Sequence, residues 1–342
     1  MSSEKTNILT TQSKAEFDTA VAKAAGLLRQ DEVVAVPTET VYGLAGNALS
    51  ENAVQRIYQI KGRPSTNPLI VHVASWEMVR QCTTCWDAVT DHLVRSFWPG
   101  PLTVIVPRSE VVPEVVTAGG ETVALRWPGH PVMQAIIRAV GFPLAAPSAN
   151  QANALSPTQA RHVEAQLGGR IPLIVDGGPC AVGIESTVVD VTHVPARILR
   201  PGMISEAALI AASDGLPWTL GRGSAENGRT LQSPGMLRKH YSPKAMLVVV
   251  PWKNTQELVD RMSERQISAS AACVLAHEHI PDDLGFLRLS LIPHDPEAYA
   301  RALYAELHSC DQAGAQWIVV EAPPAETEWD GIRDRLTRAM AE

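Results

Sequence analysis

The sequence predicts two α/β units: an open, twisted mixed sheet followed by a smaller doubly wound domain. Three observations predict it. Up to about residue 204, short buried strands and amphipathic helices interleave without strict alternation, as in a mixed sheet. Residues 213–244 are then rich in Gly, Ser, Pro and charge with little periodicity, the composition of a linker. From Ala245 strand and helix alternate again, the pattern of a small parallel sheet. A chain of 342 residues is long enough for two domains, and 45% hydrophobic residues supply a core for each.

Each element has a local reason. Residues 14–30 place apolar groups on one helical face, and residues 51–61 repeat this with Ala53, Val54, Ile57 and Ile60. Residues 33–37 and 68–74 read as short β-branched strands. The helix at 86–97 stops before the breaker Trp98-Pro99-Gly100-Pro101. LTVIVP, TVALRWP and PLAAP are further strands, with helices at 130–140 and 157–167, and IPLIVDGG, STVVDVT and ARILRPG complete the sheet. In the second unit, strands begin near residues 245, 271 and 316, and helices cover 254–266, 295–314 and 327–340.

Composition excludes several classes. No apolar run of about 18 residues is present, and the first 17 residues are polar, so the expectation is a cytoplasmic chain with no membrane span. The five cysteines lack framework spacing, and Cys82-Thr-Thr-Cys85 has no second pair to complete a metal site, so no protein-held metal is expected. Residues 1–200 hold 16 Lys/Arg against 17 Asp/Glu, and residues 245–342 hold 8 against 16. A nucleic-acid binder usually shows a basic surplus, so the acidic second unit is a poor surface for gripping RNA.

The chemistry is concentrated in the first unit, where polar groups interrupt strand ends, the usual place for ligands in α/β folds. Val36–Leu44 ends a strand in hydroxyls (Thr38, Thr40) and a carboxylate; it reads as a small-ligand site or as a capped turn. Lys61-Gly62-Arg63-Pro64-Ser65-Thr66-Asn67 puts two cations and an amide on a stiff loop, suited to phosphate oxygens or simply to solvent. His72 lies on a strand as a packing residue or a ligand. Arg126, amid Val, Ala, Leu and Trp after Thr122, must find an anion, either in the protein or on a substrate. Ala146-Pro147-Ser148-Ala149-Asn150 allows close approach and offers hydrogen bonds, and Ser156 can bond a ligand or cap the next helix. Asp176–Thr187, with Ser186, and Arg200-Pro201-Gly202 complete the set. No nucleophile elbow or zinc-protease motif occurs. Cations, hydroxyls and amides suit positioning and charge stabilisation of phosphoryl-type chemistry.

Together these stretches resemble the threonylcarbamoyl-AMP synthase family of YrdC type. PTETVYGL, KGRPSTNPLIVHVA, FWPGPLT, TVALRWP, APSAN, DGG…GIESTVVD and ILRPG stand in that family's order, and SPGMLRKHYSPKA at 233–245 is similar to its interdomain connector. The resemblance implies a sheet around a large concave cavity in a domain at 14–204. It implies a linker at 205–244 that covers the active site, and a small Rossmann-like domain at 245–342. Thr40, His72, Arg126, Ser186 and the Ala146 backbone would surround threonine. Arg63, Asn67, Thr122, Ser148, Asn150, Ser156, Arg200 and Tyr241 would contact ATP, with Lys61 favouring the phosphates and Lys61 and Arg63 acting in catalysis. The implied reaction joins L-threonine, bicarbonate or CO2 and ATP, with Mg2+ as companion of the nucleotide, into threonylcarbamoyl-AMP and pyrophosphate. Downstream tRNA-modifying transferase proteins would take the product, with at most weak contact to tRNA itself. The segment TEWDG departs from the Gly-rich pattern of the family's C-terminal end. Two alternatives are an RNA-binding module without adenylate synthesis, and a carbamoyl-adenylate enzyme of another pathway.

Overall fold

A computed structural model describes residues 5–213, 218–219 and 241–340. The first unit opens with β1 (Asn7–Thr10), α1 (Lys14–Leu28), β2 (Val34–Val36), β3 (Gly43–Asn47) and α2 (Glu51–Lys61). It continues with β4 (Ile70–His72), α3 (Trp76–Cys82), α4 (Ala88–Phe97), β5 (Leu102–Pro107), β6 (Thr122–Arg126) and α5 (Pro131–Val140). It closes with β7 (Leu144–Ala145), α6 (Ala160–Leu167), β8 (Leu173–Asp176), β9 (Thr187–Asp190), β10 (Ala196–Arg200), α7 (Glu206–Ala212) and β11 (Trp218–Thr219). The strands form one mixed sheet in the order β1-β8-β2-β3-β7-β4-β6-β5-β9-β10-β11.

The second unit contains β12 (Met246–Val250), α8 (Thr255–Ser263), β13 (Ala272–Ala276), β14 (Arg288–Leu291), α9 (Pro296–Gln312), β15 (Trp317–Glu321) and α10 (Asp330–Ala339). Its four strands pair in parallel in the order β12-β15-β13-β14. Both expected fold types are therefore present. No helix among the described residues is long and apolar enough to cross a membrane.

Local chemistry positions the site-bearing loops. Ser50 caps the start of α2, and Gly62 ends it in the left-handed conformation at φ 61°. That stop leaves Lys61 on the last turn and turns Arg63 away from the helix. The parallel pairing of β4 and β6 sets His72 beside Arg126 in register. Apolar clusters fill both faces of the large sheet, one around Leu44, Val71 and Leu125 and the other around Val34, Ile136 and Val175.

A third cluster crosses between the units. Val41, Leu155 and Ile184 from the first pack with Leu303, Leu307 and Leu336 from the second. Each such buried side chain contributes about 1.5–3 kcal/mol. The closest approach runs through glycine. A Cβ on Gly183, at φ 88°, would stand 2.4 Å from the Ala300 carbonyl oxygen and from the Arg301 Cα of α9.

The differences from the sequence expectation have physical causes. β1 is an edge strand of partly exposed residues and has no apolar alternation. β3 reads GLAGN, weak strand formers whose state is set by pairing with β2 and β7. The stretch read as linker from residue 205 begins with α7. Most of the connector motif, including His240, lies outside the described residues.

Gly183→Ala is expected to destabilise the protein by at least about 2 kcal/mol, because the added methyl meets backbone on the facing helix and φ is unfavourable. Thermal unfolding with limited proteolysis between the domains checks this, and an unaltered melting curve would contradict the packing described.

Candidate active site

Residues of the loop after β2, of β4 and β6 and of the turn after β7 line an open cavity of about 50 Å³, room for about four waters. Thr40, Arg63, His72, Arg126, Ala146, Ser148, Arg200 and Tyr241, all named from sequence, line it. Lys61, Asn67, Asn150, Ser156 and Ser186 are buried but do not line it. Thr122 lies at the opposite end of β6 from Arg126 and takes no part in the cavity wall.

Arg126 is the best-fixed group. Its Nη1 donates to Thr40 Oγ1 at 2.9 Å, its Nη2 to Glu39 Oε1 at 2.7 Å, and its Nε to the Gly100 carbonyl at 3.3 Å. The anion that the buried arginine requires is thus a protein carboxylate in this structure. Burial pushes the Glu39 carboxyl up, but the Arg126 charge and hydrogen bond bring it below the usual carboxylate range. Breaking such a pair by removing one partner costs about 3–5 kcal/mol. Beside it, Thr38 Oγ1 and Thr40 Oγ1 lie 2.9 Å apart, and Thr38 donates to the Val41 carbonyl. His72 presents a buried Nδ1 without a partner among the described residues, and burial followed by the Arg126 charge lowers its pKa to about 3.

The Lys61 ammonium donates to the Ser148 and Asn150 carbonyls at 2.5 and 2.6 Å, and to Asn150 Oδ1 at 3.1 Å. Its three protons are therefore committed to the 148–150 loop, and the structure does not place Lys61 on the cavity as the sequence reading expected. Burial, then the Arg63 charge, pushes it well below its ordinary pKa. Asn150 accepts from Ser148 Oγ and donates to the Ala154 carbonyl, so it serves the same loop. Arg63 faces the cavity, steadied by donation from Nη2 to Asn67 Oδ1 at 2.5 Å and to the Pro68 carbonyl. Burial lowers its pKa to about 10, leaving it cationic at neutral pH.

Arg200 is anchored through Ser186, donating from Nε to its carbonyl and from Nη2 to its Oγ at 3.1 Å, while Ser186 Oγ also meets Thr103 Oγ1. Ser156 donates to Glu185 Oε1 at 2.5 Å. Tyr241 sits in the cavity wall at φ 63°, a left-handed conformation that costs about 1–3 kcal/mol for a non-glycine residue. Sequence reasoning did not single out Glu39 or Glu185. Glu39 is the one charged residue of PTETVYGL, a signal that could have paired it with a buried arginine, whereas Glu185 shares its motif with Asp176 and Asp190.

Residues 26–202 match the family model described as Telomere recombination (Sua5, YciO and YrdC), and residues 202–341 match the threonylcarbamoyl-AMP synthase C-terminal domain. The threonylcarbamoyl-AMP synthase of Pyrococcus abyssi is 37% identical, with 92% of each chain aligned. That of Bacillus subtilis is 39% identical over 94% of this chain and 93% of its own. The chain belongs to the threonylcarbamoyl-AMP synthase family. Among solved structures, Pyrococcus abyssi Sua5 complexed with L-threonine superposes with a TM-score of 0.87 at 35% identity, covering 98% of this chain and 99% of that one. The likeness spans both domains, so the family relation includes the acidic second unit.

The His72 pKa makes a pH prediction. The unfolded chain takes up the proton near the ordinary value of 6.5 and the folded one only near 3. Stability is therefore full above pH 6.5 and falls below it by about 1.4 kcal/mol per pH unit from this group. His72→Gln is expected to flatten the acid limb of a stability-versus-pH curve measured by denaturant unfolding between pH 4 and 7. An acid limb as steep as that of the native protein would contradict the buried neutral imidazole.

Proposed function

We propose that this cavity makes L-threonylcarbamoyl-AMP and pyrophosphate from L-threonine, bicarbonate or CO2 and ATP, as a nucleotidyl transfer that supplies tRNA modification. The observation that carries the reading is the presence of two donor sets on one cavity. Arg126 with Thr40 and His72 forms one; Arg63 and Arg200 with Ser148 and Tyr241 forms the other. The first suits a small amino acid whose carboxylate approaches Arg126. The second suits a nucleotide, with two guanidinium groups for phosphate oxygens and an aromatic ring.

In this reading the threonine amine adds to CO2 and releases a proton, and a carbamate oxygen attacks the α-phosphorus as the bond to pyrophosphate breaks. Arg63 and Arg200 offset the charge of the departing diphosphate. His72, neutral across the working pH range, accepts or donates a hydrogen bond and carries no charge into the site. Lys61 acts through the 148–150 loop by fixing where Ser148 stands. Glu185, the one carboxylate among the lining residues, already accepts from Ser156, Tyr304 and Arg335. No lining carboxylate is thus left free among the described residues, and Mg2+ would enter with the nucleotide as counter-ion of the triphosphate.

Tyr241 lies in the cavity wall at the end of the connector, and in this reading it covers the bound nucleotide. The adenylate then passes to downstream tRNA-modifying proteins.

Pyrophosphate release in the presence of ATP and bicarbonate tests the threonine site. Arg126→Ala combined with Glu39→Gln, which leaves no unpaired carboxylate, is expected to raise the threonine KM by roughly 10–150-fold, the worth of a charge-assisted pair of about 1.5–3 kcal/mol. An unchanged threonine KM would remove Arg126 from this role.

A further inference from the structure

One charge on the cavity wall is balanced from outside the first domain. Glu185 lines the cavity, and its carboxylate is held by a residue of the second domain's final helix. Arg335 donates from Nε to Glu185 Oε2 at 2.7 Å and from Nη2 to the Glu185 carbonyl at 3.1 Å. Its Nη1 reaches the Pro201 carbonyl at 2.9 Å, next to Arg200, and Asp334 Oδ2 at 2.7 Å. The guanidinium carbon lies 5.5 Å from the Tyr241 ring centroid. The Arg335 side chain has no solvent exposure at all. Tyr304, also from the second domain, adds a hydrogen bond to Glu185 Oε2 at 3.2 Å.

We propose that Arg335 is a positioning residue of the nucleotide site: the second domain supplies the cation that neutralises Glu185 and braces Tyr241, so that a triphosphate meets the field of Arg63 and Arg200 instead of a bare carboxylate. This rests on the reading that ATP occupies the cavity. The physical reason is the low dielectric of the buried wall, where an uncompensated carboxylate repels each phosphate far more than it would in water. Among the described residues, the other side-chain hydrogen-bond partners of Glu185, Ser156 Oγ and Tyr304 OH, are neutral donors. Arg200 influences Glu185 only through its charge, and its own Nε and Nη2 bond to Ser186. A role through charge separates this residue from mere packing, because it scales with the number of phosphates on the ligand.

The test compares ATP and adenosine binding to the full-length protein by calorimetry, with circular dichroism to follow folding. Arg335→Met keeps the apolar stem and removes the charge. It is expected to weaken ATP by about tenfold or more and adenosine by less than about threefold. Adding Glu185→Gln to it is expected to return ATP binding to within about threefold of native. Native ATP affinity in R335M, equal losses for ATP and adenosine, or no recovery in the double variant would each overturn the proposal. Should R335M not fold, E185Q alone decides. It is expected to bind ATP at least about threefold more tightly with adenosine unchanged, and ATP affinity equal to or weaker than native overturns the proposal. If the native protein itself binds no ATP, the nucleotide reading fails, an outcome distinct from failure of the Arg335–Glu185 pairing.

Discussion

Three guanidinium groups, those of the half-buried Arg63 and the buried Arg126 and Arg200, line one cavity, and the cost of desolvating them dictates most of what surrounds them. Desolvated cations persist only where fixed acceptors replace water. Arg126 receives a carboxylate and a hydroxyl, Arg63 an amide and backbone carbonyls, and Arg200 the serine just before β9. Each solution draws on a different loop. The loops in turn are held by buried groups that never reach the cavity, Lys61 under the 148–150 turn and Thr103 under Ser186. Residues behind the wall thus determine where the residues on it can stand.

Much of this was legible in the sequence, and the limits of that reading are instructive. Helix α2 was readable to the residue because its apolar spacing and Gly62 stop are local facts. So was the burial of Arg126, because an arginine within an apolar strand has few other fates. What sequence could not supply was direction. Lys61 and Arg63 are two residues apart in one motif, yet one points under a loop and the other into the cavity. Ser186 reads as a ligand contact, and its part in holding Arg200 could not be read from sequence. Thr122 belongs to the same strand as Arg126 but lies four residues along it, about 13 Å away at strand rise. Strands β1 and β3 escaped notice because their state comes from long-range pairing and not from their own residues.

The two domains are coupled by contacts that a single-domain protein could not make. Apolar packing between Ile184 and the α9 face, the glycine approach at Gly183, and the hydrogen bond from His308 to the Ser156 carbonyl all fall on segments that buttress the cavity wall through Glu185 and Ser186. Tyr241, where the described chain re-enters after the connector, is packed between them against Tyr304. Displacing the second domain would therefore disturb both sides of the cavity, because Val41 packs in the shared cluster and the Val182 and Gly183 amides donate to the Glu39 and Thr40 carbonyls. Of the acidic residues of 245–342, Asp334 enters this interface by sharing Arg335 with Glu185.

The central claim is that one cavity joins three reactants in a fixed order of bonds. Mass spectrometry of the product formed from ATP, L-threonine and ¹³C-bicarbonate tests it most directly. The account predicts an adenylate that contains threonine and one labelled carbonyl carbon, with one pyrophosphate released for each. Pyrophosphate released without label in the adenylate, or no adenylate at all, would contradict it.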